Sequence, residues 1–231
     1  MNQNTYPATT APTSQDAALA RTFLNKVYLW MAACMLLTAG IAAYTAQDAA
    51  ALTWTIRNAW LVCIGTIGIV VVMSFGANRL SSGALSILLL AFAAIQGLLF
   101  GPLLVQYGID SVGKAFGCTA VMFGAMSIYG AVTRRNLSTM GRTLFMLLIG
   151  LIIASIVNIF WGSGSLDILI CCGGVILFAL FTAHDTQRLL EIGLNPDETI
   201  RSKGAVLGAL SLYLDFINLF LYLLRLLGRD E

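Results

Sequence analysis

The sequence predicts an all-α integral membrane protein with seven transmembrane helices, and three observations carry that prediction. First, 58% of its 231 residues are hydrophobic and only 10% are charged, whereas a soluble domain carries about 25% charged residues. Second, the mean hydropathy is +0.85, so polar side chains are too few to cover a sphere of this size and lipid must cover much of it. Third, apolar runs near the length of about 20 residues that a bilayer requires recur seven times.

In chain order, residues 1–20 are rich in Thr, Ala, Ser, Gln and Pro and read as a disordered polar tail. The first apolar run is too long, and starts too far in, for a cleaved signal peptide. The seven runs cover about 27–47, 58–77, 84–106, 112–132, 143–162, 166–184 and 204–227. Gly101-Pro102 marks an expected kink in the third. Short links such as Ser163-Gly164-Ser165 and 78–83 separate the runs and leave no room for a soluble domain. Residues 21–231 therefore read as one seven-helix membrane domain.

Charge sets direction and excludes partners. With the N-terminus inside, Arg21, Lys26, Arg79, Arg134, Arg135, Arg142, Arg188, Arg201 and Lys203 fall on the inner side, against Arg57, Lys114, Arg225 and Arg229 outside. That bias favours a cytoplasmic N-terminus; the last two arginines leave the side of the C-terminus open. A net charge of +2 is far from the basic excess of a nucleic-acid binder. Cys34, Cys63, Cys118, Cys171 and Cys172 all lie in apolar runs without zinc or disulfide spacing, and read as small reduced side chains.

The last run carries the most informative pattern. Between Gly204 and Leu224 only Asp215 is charged, and a carboxylate at mid-membrane costs about 2.5–3.5 kcal/mol on insertion scales. Gly204, Gly208, Ser211, Asp215, Asn218, Tyr222 and Arg225 recur at alternating spacings of four and three, which places them on one helical stripe. Small residues at one end admit a close neighbour, so the stripe is expected to face protein. Asn218 and Ser211 are candidates for interhelical hydrogen bonds. A second acid, Asp185, ends the sixth run beside His184, the sole histidine. An imidazole there can titrate near neutrality. Asn158 and Gln96 add further intramembrane polar groups.

No enzyme is expected. No span pairs a serine with a histidine, and none carries His-Glu-x-x-His. The seventh run lacks the lysine a retinal Schiff base requires. An intramembrane aspartyl protease would carry Gly-x-Gly-Asp, whereas Asp215 sits in Leu212-Tyr213-Leu214-Asp215-Phe216.

The stretch Leu207-Gly208-Ala209-Leu210-Ser211-Leu212-Tyr213-Leu214-Asp215-Phe216-Ile217-Asn218-Leu219-Phe220 closely resembles the signature of the Bax-inhibitor-one family. Asp185-Thr186-Gln187, Asn158 within Ile156–Phe160, and the segment Met122–Gly130 followed by a basic link are similar to that family as well. The resemblance spans about 23–228, and the short tail without a Pro-rich stretch looks most like the bacterial branch. It implies six helices wrapped around a central seventh, in a bacterial cytoplasmic (inner) membrane. It also implies a pH-sensitive cation leak, chiefly of calcium, controlled by Asp185 and Asp215, with an arginine latch for which Arg79 is the candidate. His184 departs from the tyrosine expected there and would modulate the pair.

Two carboxylates sharing a site titrate as a unit. A shared proton would tie the sixth and seventh helices, and its loss would leave a weak, transient site for calcium, a hard cation that prefers oxygen ligands. No cofactor is expected; calcium and protons are the expected cargo and the lipid bilayer the surroundings. Ser211, Asn218 and Tyr222 would support the pair, and Asn158 and His184 modulate it. The alternative that the resemblance implies is an interaction protein that modulates a membrane-bound protease, or a stress or cell-death response, without conducting ions.

Overall fold

The computed structural model describes residues 14–228, so the first thirteen residues of the expected tail and Arg229 lie outside it. Among the described residues there are seven helices and no strands: α1 (Ser14–Gln47), α2 (Ala49–Arg57), α3 (Ala59–Gly76), α4 (Ser82–Val132), α5 (Met140–Trp161), α6 (Gly164–Gly193) and α7 (Glu198–Leu227). All but the short α2 are long and apolar enough to cross a membrane.

Residues 14–20 are helical, which corrects their assignment to the polar tail. Ala17-Ala18-Leu19-Ala20 is a strong helix-forming run, and Ala20 and Phe23 are buried. The link after the first span is also helical. Asp48 caps α2, its carboxylate accepting from the Ala51 amide at 2.7 Å. Ser81 and Ser163 cap α4 and α6 in the same way, as Asp197 caps α7.

The expected kink lies elsewhere. Gly101 and Pro102 are both inside helix, and the non-helical residue is Gly108, at φ 72° and ψ 157°. Only glycine reaches that conformation without a steric cost. It divides α4 into two arms, each long enough to span a hydrocarbon core about 30 Å thick, and these match the third and fourth predicted runs. Gly101 serves packing instead: a Cβ there would stand 2.6 Å from Cβ of Thr45 on α1. Membrane helices tolerate proline because neighbouring groups re-satisfy the freed carbonyl.

Side-chain contacts define the two ends of the bundle. At one, Lys203 Nζ donates to the Ala77 carbonyl at 3.1 Å, and Gly193 packs against Ala20 and Phe23. This end gathers the nine basic residues assigned to the inner side. At the other, Arg225 pairs with Asp167 and Gly228 abuts Tyr107, so α7 runs the full length of the bundle. Exposed Trp54, Trp60 and Trp161 ring that second end, as aromatic side chains do at a membrane interface.

Helix α7 is the most heavily buried of the long helices, and its main neighbours are α1, α4 and α6. Tyr213 is fully buried, with its hydroxyl 2.7 Å from Thr38 Oγ1. Thr38 spends its own proton on the Ala93 carbonyl at 2.9 Å, so Tyr213 is the donor to Thr38. One chain of hydrogen bonds thus joins α7, α1 and α4. Helices α3 and α5 show their apolar side chains outward, with Phe75 and Phe160 among the most exposed residues.

Candidate functional site

The polar stripe of α7 lies along α6, as expected for a stripe turned towards protein. The two helices run antiparallel, and the contacts advance in register. A Cβ on Gly204 would stand 2.7 Å from Ile192 Cγ2, and one on Gly208 would overlap Leu189. Ser211 and Asp185 line a single cavity. Further along, the Tyr222 ring lies over Gly174, where a Cβ would stand 2.5 Å from the ring, and Arg225 reaches Asp167. The glycines draw the helices together at the basic end, and the seam widens where Ser211 faces Asp185.

That cavity has a volume of about 290 Å³ and lies between α3, α6 and α7, with Ser74, Arg188, Ser211 and Asp185 among its lining. Asp185 and Asp215 are both buried, at 9% and 6% exposure, and are close enough to interact electrostatically. Asp185 Oδ1 is 2.9 Å from His184 Nδ1. Asp215 is different: its Oδ2 is buried with no hydrogen-bond partner among the described residues. A buried, unpartnered carboxylate oxygen is costly, and such groups concentrate at functional sites in membranes. Among the described residues no group of three or more His, Cys, Asp or Glu side chains stands together to hold a metal ion.

Other sequence candidates divide by position. His184 is at the pair, with Nε2 turned towards Gly141 at the start of α5. It lines a second cavity of about 290 Å³ with Ser138, Gln187, Arg188 and Glu191. Arg79 is exposed in the turn between α3 and α4 and is not among the residues lining the carboxylate cavity. Arg188, one turn beyond Asp185, lines both cavities. Asn158 is remote from the pair. It closes the α5–α6 turn, its Oδ1 accepting from the Ser163 amide at 3.2 Å, beside Gly162 in the left-handed conformation at φ 63°. Asn218 bonds within its own helix, donating to the Leu214 carbonyl at 2.8 Å, rather than across to a neighbour. Tyr222 packs near the far end, stacked on Phe178 at 6.0 Å, so it does not support the carboxylates directly.

Gln187 has a role the sequence reading left unassigned. Its Oε1 accepts from the Leu137 amide at 2.7 Å, and its Nε2 donates to the Arg135 carbonyl at 2.9 Å. It thereby straps the basic link between α4 and α5 onto α6, two residues from Asp185. The signal was present in the Asp185-Thr186-Gln187 element, but spacing alone names no partner fifty residues away.

The family model described as inhibitor of apoptosis-promoting Bax1 matches residues 20–231. The chain belongs to the Bax inhibitor-1 family. Among its relatives is the inner membrane protein YbhL of Escherichia coli K12, 41% identical over 93% of this chain and 94% of that protein. An uncharacterized protein of Deinococcus radiodurans is also 41% identical, over 89% of this chain and 90% of its own length. A third, from Borreliella burgdorferi, is 36% identical over 93% of this chain and 95% of its own. This Bax inhibitor-1 family member is thus a multi-pass membrane protein with bacterial relatives that match nearly its whole length.

Proposed function

We propose that this family member is a pH-sensitive calcium leak, or a proton-coupled calcium pathway, of a bacterial inner membrane. Its N-terminus is cytoplasmic, its six other membrane segments surround α7, and Asp185 with Asp215 is the gate. The observation that carries this reading is the unpartnered Asp215 oxygen, buried within electrostatic reach of Asp185, which itself lines a cavity with Ser211 and Arg188. Two ionised carboxylates so close repel in a low dielectric, so the pair holds either a proton or a cation. A shared proton ties α6 to α7 and closes the seam. Calcium suits the alternative state because it takes carboxylate and carbonyl oxygens, and two carboxylates bind it weakly enough to let it go. Arg188 is the cation best placed to hold Asp185 when neither is bound. The excess of basic residues in the links at that end supports a cytoplasmic side for the cavity.

The test is flux in liposomes holding a calcium-sensitive dye, scanned from about pH 5 to 8, the interval in which pH-sensing switches in general operate. Calcium entry that varies with pH in wild type, and loses that variation in both Asp185→Asn and Asp215→Asn, supports the gate. Entry no faster than in empty liposomes at every pH overturns it and favours a regulator of another membrane protein.

A further inference from the structure

The polar stripe does not stop at Asp215. It continues along the same face of α7 through Asn218, Tyr222 and Arg225, and the far half of the seam is closed by aromatic and charged groups. Near the carboxylates the helices meet through Gly204 and Gly208, which pack against the aliphatic side chains of Ile192 and Leu189. Beyond Asp215 the seam is filled by the stacked rings of Tyr222 and Phe178 and by one ion pair, whose partners are partly exposed. Tyr222 occupies the space that Gly174 leaves on α6 and stacks on Phe178. Arg225 then crosses to Asp167. A polar cavity of about 320 Å³ lies over the pair, lined by Tyr107, Asn158, Ser163 and both ion-pair partners.

We propose that Tyr222 and the Asp167–Arg225 pair form a second closure of the α6–α7 seam, at the end remote from Asp185 and Asp215. This rests on the reading of that seam as the cation path. A cation arriving from the far end meets the guanidinium first, a fixed positive charge over the route, while Asp167, the carboxylate that would attract it, is occupied. The closure is built to open. Both partners are partly exposed, so solvent screens their attraction. Arg225 also lies near its helix end, where a released arginine finds solvation at the interface by extending its stem. Release of the ion pair is therefore a side-chain motion, and the two closures lie at opposite ends of the seam.

The experiment uses the full chain with its five cysteines replaced and one reporter, Asn218→Cys, between the carboxylates and the closure. Proteoliposomes of a single orientation receive a small, charged, membrane-impermeant thiol reagent on the Arg225 side only. We expect slow labelling of the parent, and about fivefold faster labelling in Arg225→Gln and in Asp167→Asn, the scale set by a partly exposed ion pair. Tyr222→Ala should accelerate labelling further, and the charge swap Asp167→Arg with Arg225→Asp should restore protection. Size-exclusion profiles and circular dichroism identify folded variants, with Arg225→Lys as the conservative substitute for any that fails. Unchanged labelling in the folded variants overturns the closure. Calcium entry in the same vesicles separates the two ideas. Faster labelling without entry in any variant upholds the closure and removes the leak, whereas entry with unchanged labelling does the reverse.

Discussion

Gly130 on α4 rests directly against the backbone of Ala183 on α6: a Cβ at position 130 would stand 2.9 Å from Ala183 Cα and would overlap its carbonyl oxygen. That contact fixes the depth of α6 two residues before Asp185, and backbone cannot move aside as a flexible side chain can. Gly130→Ala should therefore destabilise the protein by about 1–3 kcal/mol, the range for overpacking. Gly208→Ala should cost less, since it meets only the movable tip of Leu189. Thermal unfolding in detergent distinguishes them; equal losses would show that Leu189 has no room to turn.

Gln187 holds the basic link with two hydrogen bonds. Its replacement by leucine should release residues 133–139 and let the link extend into the trypsin active site at Arg134 and Arg135, which are already exposed. Cleavage at those arginines should speed up severalfold while the helical circular dichroism is retained. An unchanged cleavage rate would mean that the α4–α5 link is held by other contacts.

The Tyr213–Thr38–Ala93 chain should separate into unequal parts. Tyr213→Phe removes one bond and should cost about 1 kcal/mol. Thr38→Val removes two and leaves the Tyr213 hydroxyl buried without an acceptor, so it should cost about 1–3 kcal/mol more. Chemical denaturation of the single and double variants measures the coupling, and strictly additive losses would refute a linked chain.

Asp215→Asn should fold, and at pH 8 it should be at least as stable as wild type, because it removes a buried charge whose Oδ2 has no partner. A marked fall in melting temperature at that pH would show that the carboxylate is a structural tie. Asn158→Ala serves as a control: it should weaken the α5–α6 turn by about 1 kcal/mol without changing how flux depends on pH, because that turn lies at the opposite end from the carboxylates.

By itself the sequence determined the membrane class, the seven apolar segments and the stripe on α7. Those features depend on composition, on run length and on a period of 3.6 residues, all of which are local. It also singled out Asp215, since a carboxylate in an apolar helix is costly wherever the helix packs, and the family resemblance joined Asp185 to it. What only the tertiary structure decided was which surface covers each group. Periodicity says that Ser211, Asp215, Asn218 and Tyr222 share a face, but their antiparallel register along α6 separates Tyr222 from the pair and brings Ser211 to Asp185. Arg79 and Arg188 are equally basic and equally near a span end, yet only Arg188 leaves its helix on the cavity side. Gly101-Pro102 looks like a break and Gly108 does not, because sequence cannot tell a glycine that admits a neighbour such as Thr45 from one that turns the chain. That distinction resides in the facing helix, tens of residues away, and only packing brings it to bear.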